Sequence, residues 1–284
     1  MAGARRCPNC GAAAPGRFCA TCGQEQRDLR VPFRGVVAEA LEETISLDSK
    51  LSRTLPALFL HPGAATRHFV EGRRASFTSP LKLYLLASFA FFLALAVGPD
   101  LRLRIGGSNI SFGPTEVPAG EQPVVQASAE EMAELRSLGA FGAALAARVD
   151  ELKALPPREA QRRMNAALVD NSARAMFLLV PLMALVLLAL HPRRGLFYTE
   201  HLVAAVHAQT VTFAFLLPGV VLGSGGVTLA GLAAAGGHLF LAMRRIYGTG
   251  WAGTAARWLA LSFAYLVVVS LTVAGAALLA VFTS

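Results

Sequence analysis

The chain has 284 residues, 54% of them hydrophobic and only 15% charged, where soluble domains carry about 25% charged residues. The deficit is confined to long uncharged runs, which excludes a uniformly apolar globule and points to membrane spans. The net charge of +8 lies largely beside those runs, so it reads as positive-inside topology rather than as a nucleic-acid surface.

The first thirty residues are cationic and rich in cysteine, and no apolar core follows them. They do not fit a cleavable signal peptide. All four cysteines fall in two pairs, Cys7-Pro8-Asn9-Cys10 and Cys19-Ala20-Thr21-Cys22, each followed by glycine, Gly11 and Gly23. A CxxC turn points two thiolates at one ion, and zinc takes four such ligands in a tetrahedron. The glycines permit a tight turn and leave amides free to donate to sulfur. Pro15-Gly16 supplies the turn between the knuckles, and Phe18 is expected to cover the metal. Two disulfides or a redox dithiol are the alternatives, and disulfides require an oxidising compartment. The expectation is a minimal ribbon over 1–26 holding one structural zinc, too small to fold without it.

Residues 27–80 are expected to form a cytoplasmic amphipathic and interfacial segment. Val36, Val37, Ala40, Leu41, Thr44, Ile45 and Leu47 make a helical stripe opposite Glu39, Glu42 and Glu43. The stretch from Arg53 to Gly63 is apolar but too short to span, and it reads as a helix lying in the interface. Thr66 to Pro80 mixes basic and aromatic residues. It suits anionic headgroups or an ordinary solvated linker.

A first span is predicted at 81–98. Residues 99–174 are soluble in character. Leu101 to Ile105 and Ile110 to Phe112 alternate around Gly106-Gly107 and predict a small β-hairpin. Gly113 to Pro123 reads as a linker. Ser128 with Glu130 and Glu131 predicts a capped helix start, with Met132, Leu135, Leu138, Leu145, Val149 and Leu152 on one face. Pro156-Pro157 breaks that helix, and another starts near Arg158. Four further spans are predicted at 175–191, 201–222, 227–243 and 258–282. Pro181 kinks the first of these, Gly223 to Gly226 turns between the middle two, and Ile246 to Arg257 forms a loop before the last. Trp251, Trp258 and Tyr265 are possible interface anchors. The fold class is thus mainly α: a polytopic helical membrane protein of about five transmembrane helices with a small N-terminal zinc ribbon.

Arg193-Arg194, Arg244-Arg245 and Arg257 occupy short loops on one side, which five spans place with the N-terminus. The positive-inside rule makes that side cytoplasmic and the C-terminus extracytoplasmic. The cysteines then lie in a reducing compartment, consistent with zinc.

The most polar membrane mouth is Tyr198 to His207. Glu200 and His207 are seven residues apart and share a helix face. His201 is displaced around the helix, His191 could face them from the preceding span, and His238 lies on the fourth. Ionisable residues in a bilayer usually face a bundle interior or a water path, so these four candidates, Glu200, His201, His207 and His238, could relay protons, bind a metal or hold a headgroup. The structural reading weighs more: Glu200 and His201 at the interface, with Glu200 capping its helix, and His207 bonded to a neighbouring helix. No HExxH, phosphate loop, GxSxG elbow or paired-carboxylate motif stands out.

Several segments in fixed order carry a resemblance. They are the two cysteine knuckles, Arg53-Thr54-Leu55, Pro62-Gly63, Glu71-Gly72-Arg73-Arg74 and Pro80-Leu81-Lys82-Leu83-Tyr84. Val180 to Ala184, Tyr198 to His207 and Arg244 to Gly248 continue the series. In this order the chain resembles the bacterial inner-membrane proteins grouped as domain of unknown function 3667. The resemblance implies a zinc ribbon on a multi-span domain in the inner membrane, and no activity. The expected function is a non-enzymatic membrane protein whose cytoplasmic ribbon mediates protein interaction or assembly. The alternative is a solute, ion or lipid transporter, or a membrane-embedded enzyme, using Glu200 and His207. The expected partners are the lipid bilayer and a protein held by the ribbon.

Overall fold

The computed structural model describes residues 6–26, 50–98, 101–105, 108–112, 128–192 and 195–283. The stripe from Val36 to Leu47, the Gly106-Gly107 turn, the Gly113 to Pro123 linker and Arg193-Arg194 lie outside the described residues. The helices are α1 (Leu51–Phe59), α2 (Ala64–Val70), α3 (Pro80–Val97), α4 (Ala129–Ser137), α5 (Gly139–Ala154), α6 (Pro157–Leu190), α7 (Tyr198–Val221), α8 (Gly225–Tyr247) and α9 (Trp251–Thr283), with strands β1 (Leu101–Ile105) and β2 (Ser108–Phe112) between α3 and α4. The chain is a mainly α polytopic membrane protein. Helices α3, α7, α8 and the Trp251–Thr272 part of α9 are long and apolar enough to cross a bilayer. The expected second span appears as the apolar end of the 34-residue α6, Phe177–Leu190. As described, that stretch is shorter than the roughly 17–25 residues a spanning helix uses.

The chain divides into two compact units. One comprises Met1–Phe91, Val180–Leu217 and Thr228–Tyr265. In it α7 is the central helix: 61% of its apolar window is buried, against 22%, 17% and 11% for α3, α8 and α9. The outer helices expose Leu86, Phe89, Leu232, Leu259 and Phe263, an apolar surface that lipid tails can cover and water cannot without cost. Arm helix α1 packs Leu58 with Ala65, Leu83 and Val211, so one face of the arm joins the core of this unit, while Leu55 and Leu60 stay exposed. Tyr84 and Phe91 of α3 both pack against Phe213 of α7 with their rings tilted.

Between α1 and α2 the chain turns through Pro62 and Gly63. Gly63 has φ +77°, and a Cβ there would sit 2.9 Å from the Ala242 carbonyl oxygen of α8. Glycine is required twice over at this point, for the left-handed backbone and for the close approach. Gly231 of α8 likewise leaves room for the Phe215 carbonyl of α7, 2.2 Å from where a Cβ would be.

Two side chains expected to mark topology or the interface also close helix contacts. Arg257 of α9 donates to the Leu190 carbonyl at 3.0 Å, satisfying an orphan acceptor in the last turn of α6. Trp258 donates to the Gly236 carbonyl of α8 at 3.0 Å. The expected Ile246 to Arg257 loop shrinks to Gly248–Gly250, because α8 runs on to Tyr247 and α9 begins at Trp251. Gly248, at φ +60°, ends α8 in the manner of a C-terminal glycine. The other glycines, read as loop formers, fall at the N-terminus of α9 and within its first turn.

The second unit comprises Phe92–Leu179, Pro218–Val227 and Leu266–Ser284. The hairpin forms, with Leu101 opposite Phe112 and Leu103 opposite Ile110. Ser128 and Glu131 make a reciprocal capping box at the start of α4. The single helix expected from Ser128 to Leu152 is instead two, broken at Leu138 and Gly139, whose φ is +80°. A Cβ on Gly142 would fall 1.9 Å from the Leu135 carbonyl, so α4 and α5 fold tightly on each other. Met132 packs on Ala146 and Val149, while Leu138, expected on the buried face, is turned out and 68% exposed. Pro157 occupies the first position of α6, where its missing N–H costs nothing.

The Gly63 contact generates a stability prediction. Gly63→Ala combines left-handed strain with a backbone clash and should destabilise by about 2–4 kcal/mol. Gly139→Ala, with similar φ but open space around it, should cost only about 1 kcal/mol. Thermal unfolding of the two variants in one detergent checks the order; equal losses would mean that Ala242 yields to the added methyl.

Candidate functional site: the cysteine ribbon and the histidine junction

The two knuckles repeat the same turn. Gly11 N–H donates to the Cys7 carbonyl and Gly23 N–H to the Cys19 carbonyl, both at 2.8 Å. Cys7 N–H closes on Ala12 and Cys19 N–H on Gln24. Gly11 and Gly23 take φ values of +75° and +72°, as the spacing predicts. The four sulfurs of Cys7, Cys10, Cys19 and Cys22 lie within 4.8 Å of one another. The Cys7–Cys22 and Cys10–Cys19 separations are both 3.6 Å. A tetrahedral ion with metal–sulfur bonds of about 2.3 Å has edges of about 3.8 Å, so the cluster matches the span of one four-thiolate ion.

The surroundings favour thiolate on some sulfurs and oppose it on others. Burial pushes the Cys7 thiol up, but N–H groups of Cys10 and Asn9, with the Gln26 and Cys22 side chains, outweigh it and bring it down to about 6. The N–H groups of Cys22 and Thr21 lower Cys19. At Cys10 the Ala12 N–H pulls downward, yet desolvation and the three neighbouring sulfurs push the thiol up to about 12. Four thiolates this close repel one another, and a bound cation relieves that repulsion. Phe18 does not cover the cluster: it is 57% exposed with Arg17 over its ring, and Ala14 fills the space beside Cys7 and Cys19.

The ribbon is clamped to its own chain. Gln24 is buried, and its amide donates to the Gly72 carbonyl at 2.6 Å and accepts from the Arg74 and Ala75 N–H groups at 3.1 and 3.2 Å. Ser76 donates to Asn9 at 2.9 Å. These contacts fix the loop after α2. Arg67 of α2 and Arg73 of the loop share the Glu71 carboxylate, and the Arg67 hydrogen bond, more than any other influence, holds that carboxyl below its usual range. His68 stacks on Phe77 with ring centres 5.0 Å apart. Buried Thr54 accepts from the Thr78 N–H at 2.9 Å and donates to the Lys50 carbonyl at 2.8 Å, tying α1 to the entry of α3.

Each intramembrane candidate has a partner, though Glu200 and His207 are not partners of each other. Glu200 is buried and accepts from the Phe197 N–H at 2.7 Å, closing the first turn of α7 at the positive end of its dipole. His207 meets Thr66 of α2 at 2.8 Å through Nδ1. His238 donates through Nε2 to the Leu58 carbonyl at 2.8 Å, which fixes its tautomer because a carbonyl can only accept. That carbonyl belongs to the last turn of α1 and has no helical N–H to accept from. His201 Nδ1 lies 2.8 Å from the Tyr247 hydroxyl, and the His191 ring stacks on Tyr247 with centres 3.7 Å apart. Thr66, His207, His238 and Tyr247 help line a cavity of about 20 Å³, room for about one water. Sequence reasoning missed Thr66, Tyr247 and the Leu58 carbonyl. Thr66 and Tyr247 are ordinary residue types with no spacing signal, and a backbone acceptor leaves none.

A family model described as "Protein of unknown function (DUF3667)" matches residues 48–92. The match takes in α1, α2, the clamped loop and most of α3, and so contains Arg53-Thr54-Leu55, Pro62-Gly63, Glu71 to Arg74 and Pro80 to Tyr84. The cysteine knuckles and the segments after 92 lie outside it. No curated protein and no solved structure matches the chain.

Double-mutant cycles separate these contacts. Thr66→Val and His207→Phe should couple by about 1 kcal/mol in thermal stability, because each removes the other's buried partner. Glu200→Gln and His207→Ala should add within about 0.5 kcal/mol. Strong coupling in the second cycle would mean that the carboxylate and the imidazole act as one site.

Proposed function

We propose that this is a non-enzymatic integral membrane protein whose N-terminal ribbon binds one zinc and serves as an assembly module. The ribbon holds the arm of α1 and α2 in the helical bundle and turns its outer face toward a protein partner. The observation that carries this reading is Gln24, whose buried amide makes three hydrogen bonds to the backbone of Gly72 to Ala75. A four-cysteine unit this small folds with its metal, so metal occupancy governs whether Gln24 is in place. The exposed Phe18 with Arg17 above it gives a partner an aromatic and cationic contact on the ribbon's outer face.

In this reading the ribbon occupies 1–26, the arm 27–80 and the first span 81–98. An extracytoplasmic segment occupies 99–174, and the remaining four membrane helices fill 175–284. The N-terminus faces the cytoplasm of a bacterial inner membrane and the C-terminus the other side, with the arginine-bearing short loops inside. The second reading is a transporter or membrane-embedded enzyme working through Glu200 and His207. It draws on the buried polar residues of α7 and the small cavity beside His207. Against it stand the separate partners of the two side chains and a cavity the size of one water.

The full-length protein should carry one equivalent of zinc by metal analysis, and chelation should raise amide exchange across residues 71–79. Gln24→Ala should raise exchange in the same loop while leaving zinc bound, which separates the clamp from the metal. Metal-free protein with an equally protected loop would overturn the reading. For the topology, a cysteine introduced at position 120 should react with an impermeant thiol reagent in intact cells and one at position 195 should not. The reverse pattern would invert the chain in the membrane.

A further inference from the structure

A second cavity lies where α2 meets the turn between α8 and α9. Its open volume is about 460 Å³ and its lining includes Pro62, Arg67, Leu241, Arg244, Arg245 and Thr249. Clefts that take small ligands run from about 300 to 1,000 Å³. Arg244 and Arg245 are exposed, and among the described residues neither has a carboxylate within ion-pair distance. Arg244 lies over the Trp251 ring, its Cζ 3.9 Å from the ring centre, which holds the guanidinium beside the cavity. Arg67 gives its Nε to Glu71, but that carboxylate is shared with Arg73, so the neighbourhood keeps an excess of positive charge.

A topological bias toward arginine beside spans explains Arg244 and Arg245, and so does their favourable place at the C-terminal end of the α8 dipole. Neither explains why Arg67, far away in sequence on the arm, comes to the same cavity. Guanidinium groups converging from two elements are suited to the oxygens of a phosphate, which each can grip in a bidentate fashion. Leu241, one turn before Arg245, is 45% exposed and continues the apolar outer face of α8 away from the arginines. A ligand with a phosphate at one end and an apolar tail at the other matches both halves.

We propose that this cavity binds a phosphate-bearing anion, held by Arg67, Arg244 and Arg245. Two sources carry that chemistry, an anionic lipid headgroup and a soluble phosphate, and the apolar continuation through Leu241 favours the lipid.

The test uses the purified full chain in a neutral detergent, titrated separately with short-chain phosphatidylglycerol, with phosphatidylcholine of equal length and with inorganic phosphate, while thermal unfolding is followed. Phosphatidylglycerol should raise Tm saturably and phosphatidylcholine should not. Half-saturation should weaken about tenfold or more in Arg245→Ala and in Arg67→Ala, as expected for loss of a charged hydrogen-bonding contact. It should be unchanged in Arg136→Ala, which removes a positive charge elsewhere. Inorganic phosphate acting at the same half-saturation as the lipid supports the site and assigns it to a soluble anion. On the unmodified chain, half-saturation should also rise with sodium chloride, since the arginines are exposed to screening. The proposal is overturned by absence of a saturable shift, by equal weakening in Arg136→Ala, or by an affinity indifferent to salt.

Discussion

A polar group carried into an apolar bundle must find its partner within the chain, because lipid offers none. The unit built around α7 is arranged by that requirement. The Leu58 carbonyl ends α1 inside the bundle and is met by His238. The Leu190 carbonyl ends α6 and is met by Arg257. Thr66 enters with the arm and is met by His207. Leaving any one of these unmet would cost about 1–3 kcal/mol, so each contact fixes where an element can sit. His207 of α7 and His238 of α8 are therefore explained first as hydrogen-bond partners of the arm.

A second constraint is steric. The arm reaches α8 only because Gly63 lacks a side chain, and α7 reaches α8 only because Gly231 does. Close backbone approach is the usual route to helix association in lipid, where the hydrophobic effect does not drive one helix onto another. The hydrogen bonds and the glycine contacts act together: His238 can reach Leu58 because the arm lies tight against α8.

The ribbon extends this chain of dependence out of the apolar region. Its cysteines hold the two knuckles together, the knuckles present Gln24, and Gln24 holds the backbone from Gly72 to Ala75. That loop runs between α2 and α3, and Thr54 ties its far end back to α1. The stretch matched by the family model, 48–92, is thus the part of the chain that receives contacts from both the ribbon and the bundle.

Some of this was legible from residue order alone. The CxxC spacing with its following glycines dictates a pair of sulfurs at each knuckle, because the turn is local and φ-limited. The uncharged runs at α3, α7, α8 and α9 dictate helices, since an apolar medium admits little else. The Ser128 and Glu131 cap, the hairpin pairing and the capping place of Glu200 are likewise short-range. What residue order could not give is which long-range partner each polar group takes. Nothing local distinguishes Thr66 from any other threonine, or shows that Leu58 presents a carbonyl to a histidine 180 residues away. The arm reads as an interfacial helix because its length and prolines bar it from spanning, and periodicity does not show that Leu58 on it packs with Leu83 and Val211. Leu138 looked like core because its spacing fits one continuous helix, until Gly139 breaks the register. Sequence set the elements and their chemistry; only tertiary packing decided which surfaces they shared, since those choices depend on close approach between segments far apart in the chain.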